Sequence, residues 1–285
     1  MTVQWPLVLF SLVAGSGGGM LAFVGLSEMM GGSLAIRRRA CRCALALLIL
    51  GGAASVAHLA SPLHAISAVT NLLSFSGISI ELMLLGANFI LGVAYLVLVR
   101  EENTGGAVKA VAVLSVAAGL AIGFFCGHGY VIEAQPTWDT ETLPLAYLGT
   151  SIALGAFAYA ALAYAADKSD AAAELGGRMQ LFVLASAAIG AIGIVAYAAA
   201  IGFDVAGSQG VLFWGGVVVV GAICPVACGC AAITSVGKKS PLAFAVSGGV
   251  CALVGGICLR ALMWATATGF VNLFALGIPS VIMNL

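Results

Sequence analysis

Residues 37–82 read RRRACRCALALLILGGAASVAHLASPLHAISAVTNLLSFSGISIEL. Four arginines fall within the first six positions, and an apolar run then continues to His58. A loop of mixed polarity follows, and Glu81 opens a second apolar run. A helix of roughly 20 apolar residues crosses the hydrocarbon core of a bilayer. The stretch therefore reads as two antiparallel transmembrane helices, basic at one end and carrying titratable residues at the other.

Working outward, the same pattern fills the chain. Of 285 residues, 62% are hydrophobic and 8% charged, and the mean hydropathy is +1.15. A soluble domain of this length needs far more polar surface than that. Long continuous apolar runs exclude the short alternating segments of a β-barrel. The 38 glycines suit helices that pack backbone to backbone in lipid. With a formal net charge of zero, the expected surroundings are a lipid bilayer and not nucleic acid.

The expected fold is an all-α membrane protein, an eight-transmembrane-helix bundle forming one integral membrane domain over 1–285. Its spans fall near 6–29, 41–60, 78–99, 108–131, 143–166, 179–202, 210–234 and 242–268. The first run lacks a preceding basic region and is followed by Glu28 and the arginines, so it reads as a span and not as a cleaved signal. Of the 11 Lys and Arg, all but Arg260 lie in or beside the loops after spans one, three, five and seven. By the positive-inside rule both termini then face the outer, extracytoplasmic side.

On that side the ionisable residues converge. His58 ends span two, Glu81 opens span three, His128 and Tyr130 end span four, and Arg260 lies about two thirds of the way out along span eight. Ionisable groups in a membrane are costly and mark functional sites by default. Against this stand plain structural readings: a helix-end histidine bonded to a carbonyl, a packing ion pair between Glu81 and Arg260, and a solvated loop position for His64. Glu28, at the other end of span one, reads as a solvated helix-end carboxylate. In the loop 59–77, Leu63, Ile66, Val69, Leu72 and Leu73 recur at spacings near three and four, as in an amphipathic helix lying in the headgroup layer. Trp5, Trp138, Trp214 and Trp264 fall near outer helix ends, as an aromatic belt or a partner surface would require.

The cysteine group CPVACGC, with Cys224, Cys228 and Cys230, lies deep in span seven with no histidine near. It reads as structural, and no metal site is expected. Haem is disfavoured as well, since His58, His64 and His128 crowd one edge instead of facing one another across the bundle.

The segment HLASP, His58 to Pro62, followed by Ser79-x-Glu81, resembles the membrane anchor subunit of dimethyl-sulfoxide-reductase-type molybdoenzymes, the DmsC-like family. The PTW of Pro136 to Trp138, Arg260 and the outward termini extend the resemblance. Here His128-Gly129-Tyr130 stands where many relatives carry Arg-x-Tyr. The resemblance implies a bacterial cytoplasmic (inner) membrane, multi-pass anchor that oxidises menaquinol as a quinol dehydrogenase module. It also implies an iron–sulfur, ferredoxin-like subunit and a molybdopterin catalytic subunit at the outer face, with those cofactors on the partners and no haem here.

In that reading His58 and Glu81 are the proton-handling catalytic residues of quinol oxidation. The quinol-binding set is His58, His64, Asn71, Glu81, Tyr130 and Arg260. Quinol oxidation needs a slot open to lipid, partners for both ring oxygens and a base connected to water. His58 is placed to accept a hydroxyl proton and Glu81 to pass protons to the outer water. His64, Asn71 and Tyr130 are unranked candidates for the distal oxygen. The alternatives are a secondary transporter, whose site belongs nearer the midplane, an inert anchor, and the anchor of a related polysulfide- or tetrathionate-type reductase.

Overall fold

The computed structural model describes residues 3–57, 70, 72–99, 105–174, 178–202, 207–234 and 239–267. Among these, eight helices are long and apolar enough to cross a membrane: α1 Trp5–Met30, α2 Leu34–Ala57, α3 Gly77–Leu98, α4 Gly106–His128, α5 Thr142–Tyr164, α6 Met179–Ile201, α7 Val211–Ile233 and α8 Pro241–Ala265. The expected all-helical, multi-pass membrane architecture is what forms.

Each half of the chain closes a four-helix ring. Helix α1 packs on α2 and α4, and α3 packs on the same two; α5 packs on α6 and α8, and α7 packs on the same two. The rings meet mainly where α5 lies against α1 and α4. Helix α1 is accordingly buried along most of its length, whereas α3 buries only Ser79, Asn88, Gly92 and Tyr95. A helix apolar on every side belongs in the core or in lipid, and α1 and α3 show the two cases.

Glycine makes the junctions close. A Cβ on Gly155 of α5 would stand 2.5 Å from the Gly19 carbonyl carbon of α1, and one on Gly149 would stand 2.8 Å from Gly190 Cα of α6. Only a missing side chain lets these backbones touch, and in lipid such van der Waals contact is what holds helices together.

Two features depart from the sequence expectations. Helix α2 starts at Leu34, so Arg37, Arg38, Arg39 and Arg42 lie in its first turns and not in a loop. Arginine is a good helix former, and the turn before it is short. Gly31 takes the left-handed conformation (φ 73°) that ends α1. In addition, Val211–Ile223 of α7 winds as a π-helix, and regular α-helix resumes at Cys224.

Glu28 is a third departure, since the sequence reads it as a solvated helix-end carboxylate. It is buried, pairs with the Arg37 guanidinium and accepts a 2.7 Å hydrogen bond from Tyr95. Beside it the buried Glu174 carboxylate accepts from Ser27 Oγ at 2.6 Å, the Ser33 backbone N–H at 2.7 Å and Tyr159 at 3.0 Å. The α1–α2 turn is thus clasped to the segment after α5, because Ser27 and Ser33 both donate to the Glu174 carboxylate. Periodicity in one helix could not reveal partners supplied from four segments.

Candidate functional site

At the opposite end of the bundle, α3 begins on a serine cap: Ser76 Oγ accepts the Ser79 backbone N–H at 3.4 Å. Such a cap satisfies one orphan donor of the first turn and fixes where the helix starts. Glu81 lies one turn further on, half-buried. The starts of α3 and the end of α4 meet through glycines, since a Cβ on Gly77 would lie 3.5 Å from Gly129 Cα. That approach brings Glu81 Oε1 to within 3.1 Å of the point where a Cβ on Gly129 would be. Among the described residues, Glu81 has no hydrogen bond or ion pair.

Tyr130 follows the end of α4, where its N–H donates to the Gly127 carbonyl at 3.1 Å. Its ring centres an aromatic wall, with centroids 5.8 Å from Trp138, 5.9 Å from Tyr147 and 6.0 Å from Trp264. Trp138 and Trp264 meet edge-on at 5.0 Å, and Trp138 Nε1 donates to the Met263 carbonyl at 2.7 Å. These two tryptophans are buried, so they form the wall instead of an interfacial belt; Trp5 and Trp214 are about half exposed, at 52% and 48%.

Arg260 lies behind the wall. It is 0% exposed, and its guanidinium stacks on Tyr147. It donates from Nε to Ser11 Oγ at 2.8 Å and from Nη1 to the Gly256 carbonyl at 3.1 Å and Thr150 Oγ1 at 3.3 Å. Among the described residues no ion pair joins it to Glu81. Arg260 instead stacks on Tyr147, whose ring lies 5.9 Å from that of Tyr130.

Of the residues singled out from sequence, the structure thus brings Glu81 and Tyr130 to one place and sets Arg260 in the interior beside it. His58, His64 and Asn71 lie outside the described residues, as does most of the loop expected to form an amphipathic helix. Leu72–Ser74 of that loop forms one 3-10 turn. His128 projects to the exterior, its Nδ1 4.0 Å from Glu141 Oε2. No group of three or more His, Cys, Asp or Glu that could hold a metal occurs among the described residues, and the eight cysteines are free thiols. Tyr147 carries no signal in sequence, because an aromatic inside an apolar run stands out only when distant helices meet, and Trp138 and Trp264 stand out there only as an aromatic belt or a partner surface.

A half-buried carboxylate and a half-buried tyrosine thus come together at one end of a glycine-packed bundle. The family comparison fits that placement: the family described as the DMSO reductase anchor subunit (DmsC) matches residues 1–210. The chain belongs to the DMSO reductase anchor subunit family.

The match takes in α1 to α6 of this anchor and so includes Glu81, Tyr130 and Tyr147, whereas Arg260 and the rest of α7 and α8 lie beyond it. The anchor is also 30% identical over 167 residues to the anaerobic dimethyl sulfoxide reductase chain YnfH of Escherichia coli (strain K12), an alignment covering 57% of this chain and 58% of that one. The anchor therefore spans under three fifths of the length of that curated relative.

Proposed function

We propose that this anchor holds an iron–sulfur subunit and a molybdopterin catalytic subunit at the outer face of a bacterial inner membrane and oxidises menaquinol for them. Its termini then lie outside, and protons leave on the same side. The observation that carries this reading is the Glu81 carboxylate, held between helices with no partner among the described residues and with Tyr130 beside it. Oxidising a quinol means removing two electrons and two protons. A carboxylate left free of protein donors can accept a proton.

In this reading His58 accepts the proton of one hydroxyl, and Glu81 takes protons onward. Tyr130 offers a hydroxyl to the ring, with His64 and Asn71 as further partners from the segment before α3. Arg260 acts from behind, fixing Tyr147 and through it the aromatic wall. Membership of the anchor family supports this reading over a secondary transporter. The terminal acceptor belongs to the catalytic partner, so a polysulfide- or tetrathionate-type complex would use the same quinol chemistry here.

The test is His58→Phe and Glu81→Gln in the assembled complex. Menaquinol-dependent turnover should fall at least tenfold, equivalent to about 1.4 kcal/mol of transition-state stabilisation. Activity with an artificial donor that reduces the iron–sulfur subunit directly should persist. Near-normal quinol turnover in both variants would sink the reading.

A further inference from the structure

A proton accepted by Glu81 must still reach bulk water, and the structure places two titratable side chains beyond it. Gly129 packs against the Glu81 carboxylate, and the residue before it, His128, is exposed at the end of α4. The His128 ring is held by its own helix: it stacks on Phe124 with centroids 5.9 Å apart and meets Phe125 edge-on at 5.8 Å. These contacts fix the imidazole at the exterior, one residue before Gly129, where His128 Nδ1 faces Glu141 Oε2 at 4.0 Å. Glu141 is largely exposed, its side chain 73% accessible.

A surface ion pair of this kind contributes little to stability. Its position gives it another use. We propose that His128 and Glu141 are the proton outlet of the quinol site, an inference that rests on the reading of Glu81 as a proton acceptor. Each quinol gives two electrons to the iron–sulfur partner and two protons to the protein. The outlet carries what Glu81 receives: the carboxylate takes a proton and passes it by way of solvent water to the His128 imidazole, and the imidazolium yields it to the Glu141 carboxylate or directly to bulk solvent. Glu81 and His128 then return to their starting states, and no further reactant is consumed. His128 and Glu141 never touch the quinol; they set how fast Glu81 is reset. Histidine suits the step because its two ring nitrogens let the imidazole accept a proton on one and release it from the other.

The experiment uses the intact complex in membranes, with His128→Ala, His128→Gln and Glu141→Gln measured beside Glu81→Gln. Both His128 variants should lose quinol-dependent turnover at least fivefold while direct-donor activity persists, and Glu141→Gln should lose about twofold. Adding free imidazole should restore most of the His128→Ala loss, because a diffusible base can replace the missing relay but cannot repair a structural defect. A loss that imidazole leaves unchanged, or wild-type turnover in both His128 variants, overturns the outlet. The underlying reading is scored separately. If Glu81→Gln turns over quinol normally, the proton-acceptor role falls and the outlet with it. If Glu81→Gln is inactive while His128→Ala is unimpaired or unrescued, only the outlet is wrong.

Discussion

The guanidinium of Arg260 lies 4.2 Å above the centre of the Tyr147 ring, and no carboxylate among the described residues reaches it. Its charge is met by hydroxyls, two backbone carbonyls and an aromatic face. That set suits a planar guanidinium, which donates in several directions while stacking.

A lysine at this position should therefore be worse than no charge at all. Arg260→Lys keeps a buried cation but offers it fewer donors and no plane to stack. Arg260→Met removes the charge and leaves Ser11 and Thr150 bonded to the Val8 and Tyr147 carbonyls. In detergent melts of the purified complex, Arg260→Lys should cost about 2–3 kcal/mol and Arg260→Met less. The reverse order would show that the charge itself is stabilising.

The Glu28–Arg37 pair makes the complementary case. Glu28→Gln strands a buried guanidinium and should destabilise by about 3–5 kcal/mol. Adding Arg37→Met removes the stranded charge and should recover much of the loss. If the double variant melts no higher than Glu28→Gln, the pair is not the source of the effect.

Gly129→Ala is a small change aimed at the site. Gly129 has φ −59°, so alanine fits its backbone without strain, and the new Cβ meets only the Glu81 carboxylate at close range, 3.1 Å away. Quinol turnover should drop several-fold with thermal stability within about 0.5 kcal/mol of wild type, as expected of a surface change away from special backbone conformations. Unaltered turnover would mean the position of Glu81 is not critical.

Orientation is open to a direct measurement. Reporter fusions placed after Lys168, Lys239 and residue 285 should report the inside, the inside and the outside, following the positive-inside rule. A cytoplasmic reporter at 285 would invert the bundle and move Glu81, His128 and Glu141 to the inner face.

Composition and periodicity alone determined the eight spans, their approximate ends and their alternation, because hydrocarbon demands about the same apolar length from every helix and leaves little freedom in the answer. They also picked out Glu81 and Tyr130, since an ionisable or phenolic group at the end of an apolar run stands out against its neighbours. The neighbours of those groups were another matter. Glu28 looked like a solvated helix end until the α1–α2 turn, Tyr95 and the segment after α5 closed around it. In sequence a packing ion pair with Glu81 was one reading open to Arg260, yet its side chain lies between α1 and α5, where Ser11, Thr150 and Tyr147 receive it. Trp138 and Trp264, 126 positions apart by their numbers, touch only once α8 packs against α5. Burial along one helix is a property of its own sequence in lipid, but what a buried polar atom bonds to depends on which faces cross, and in this protein those crossings are set by glycine contacts between helices far apart in the chain.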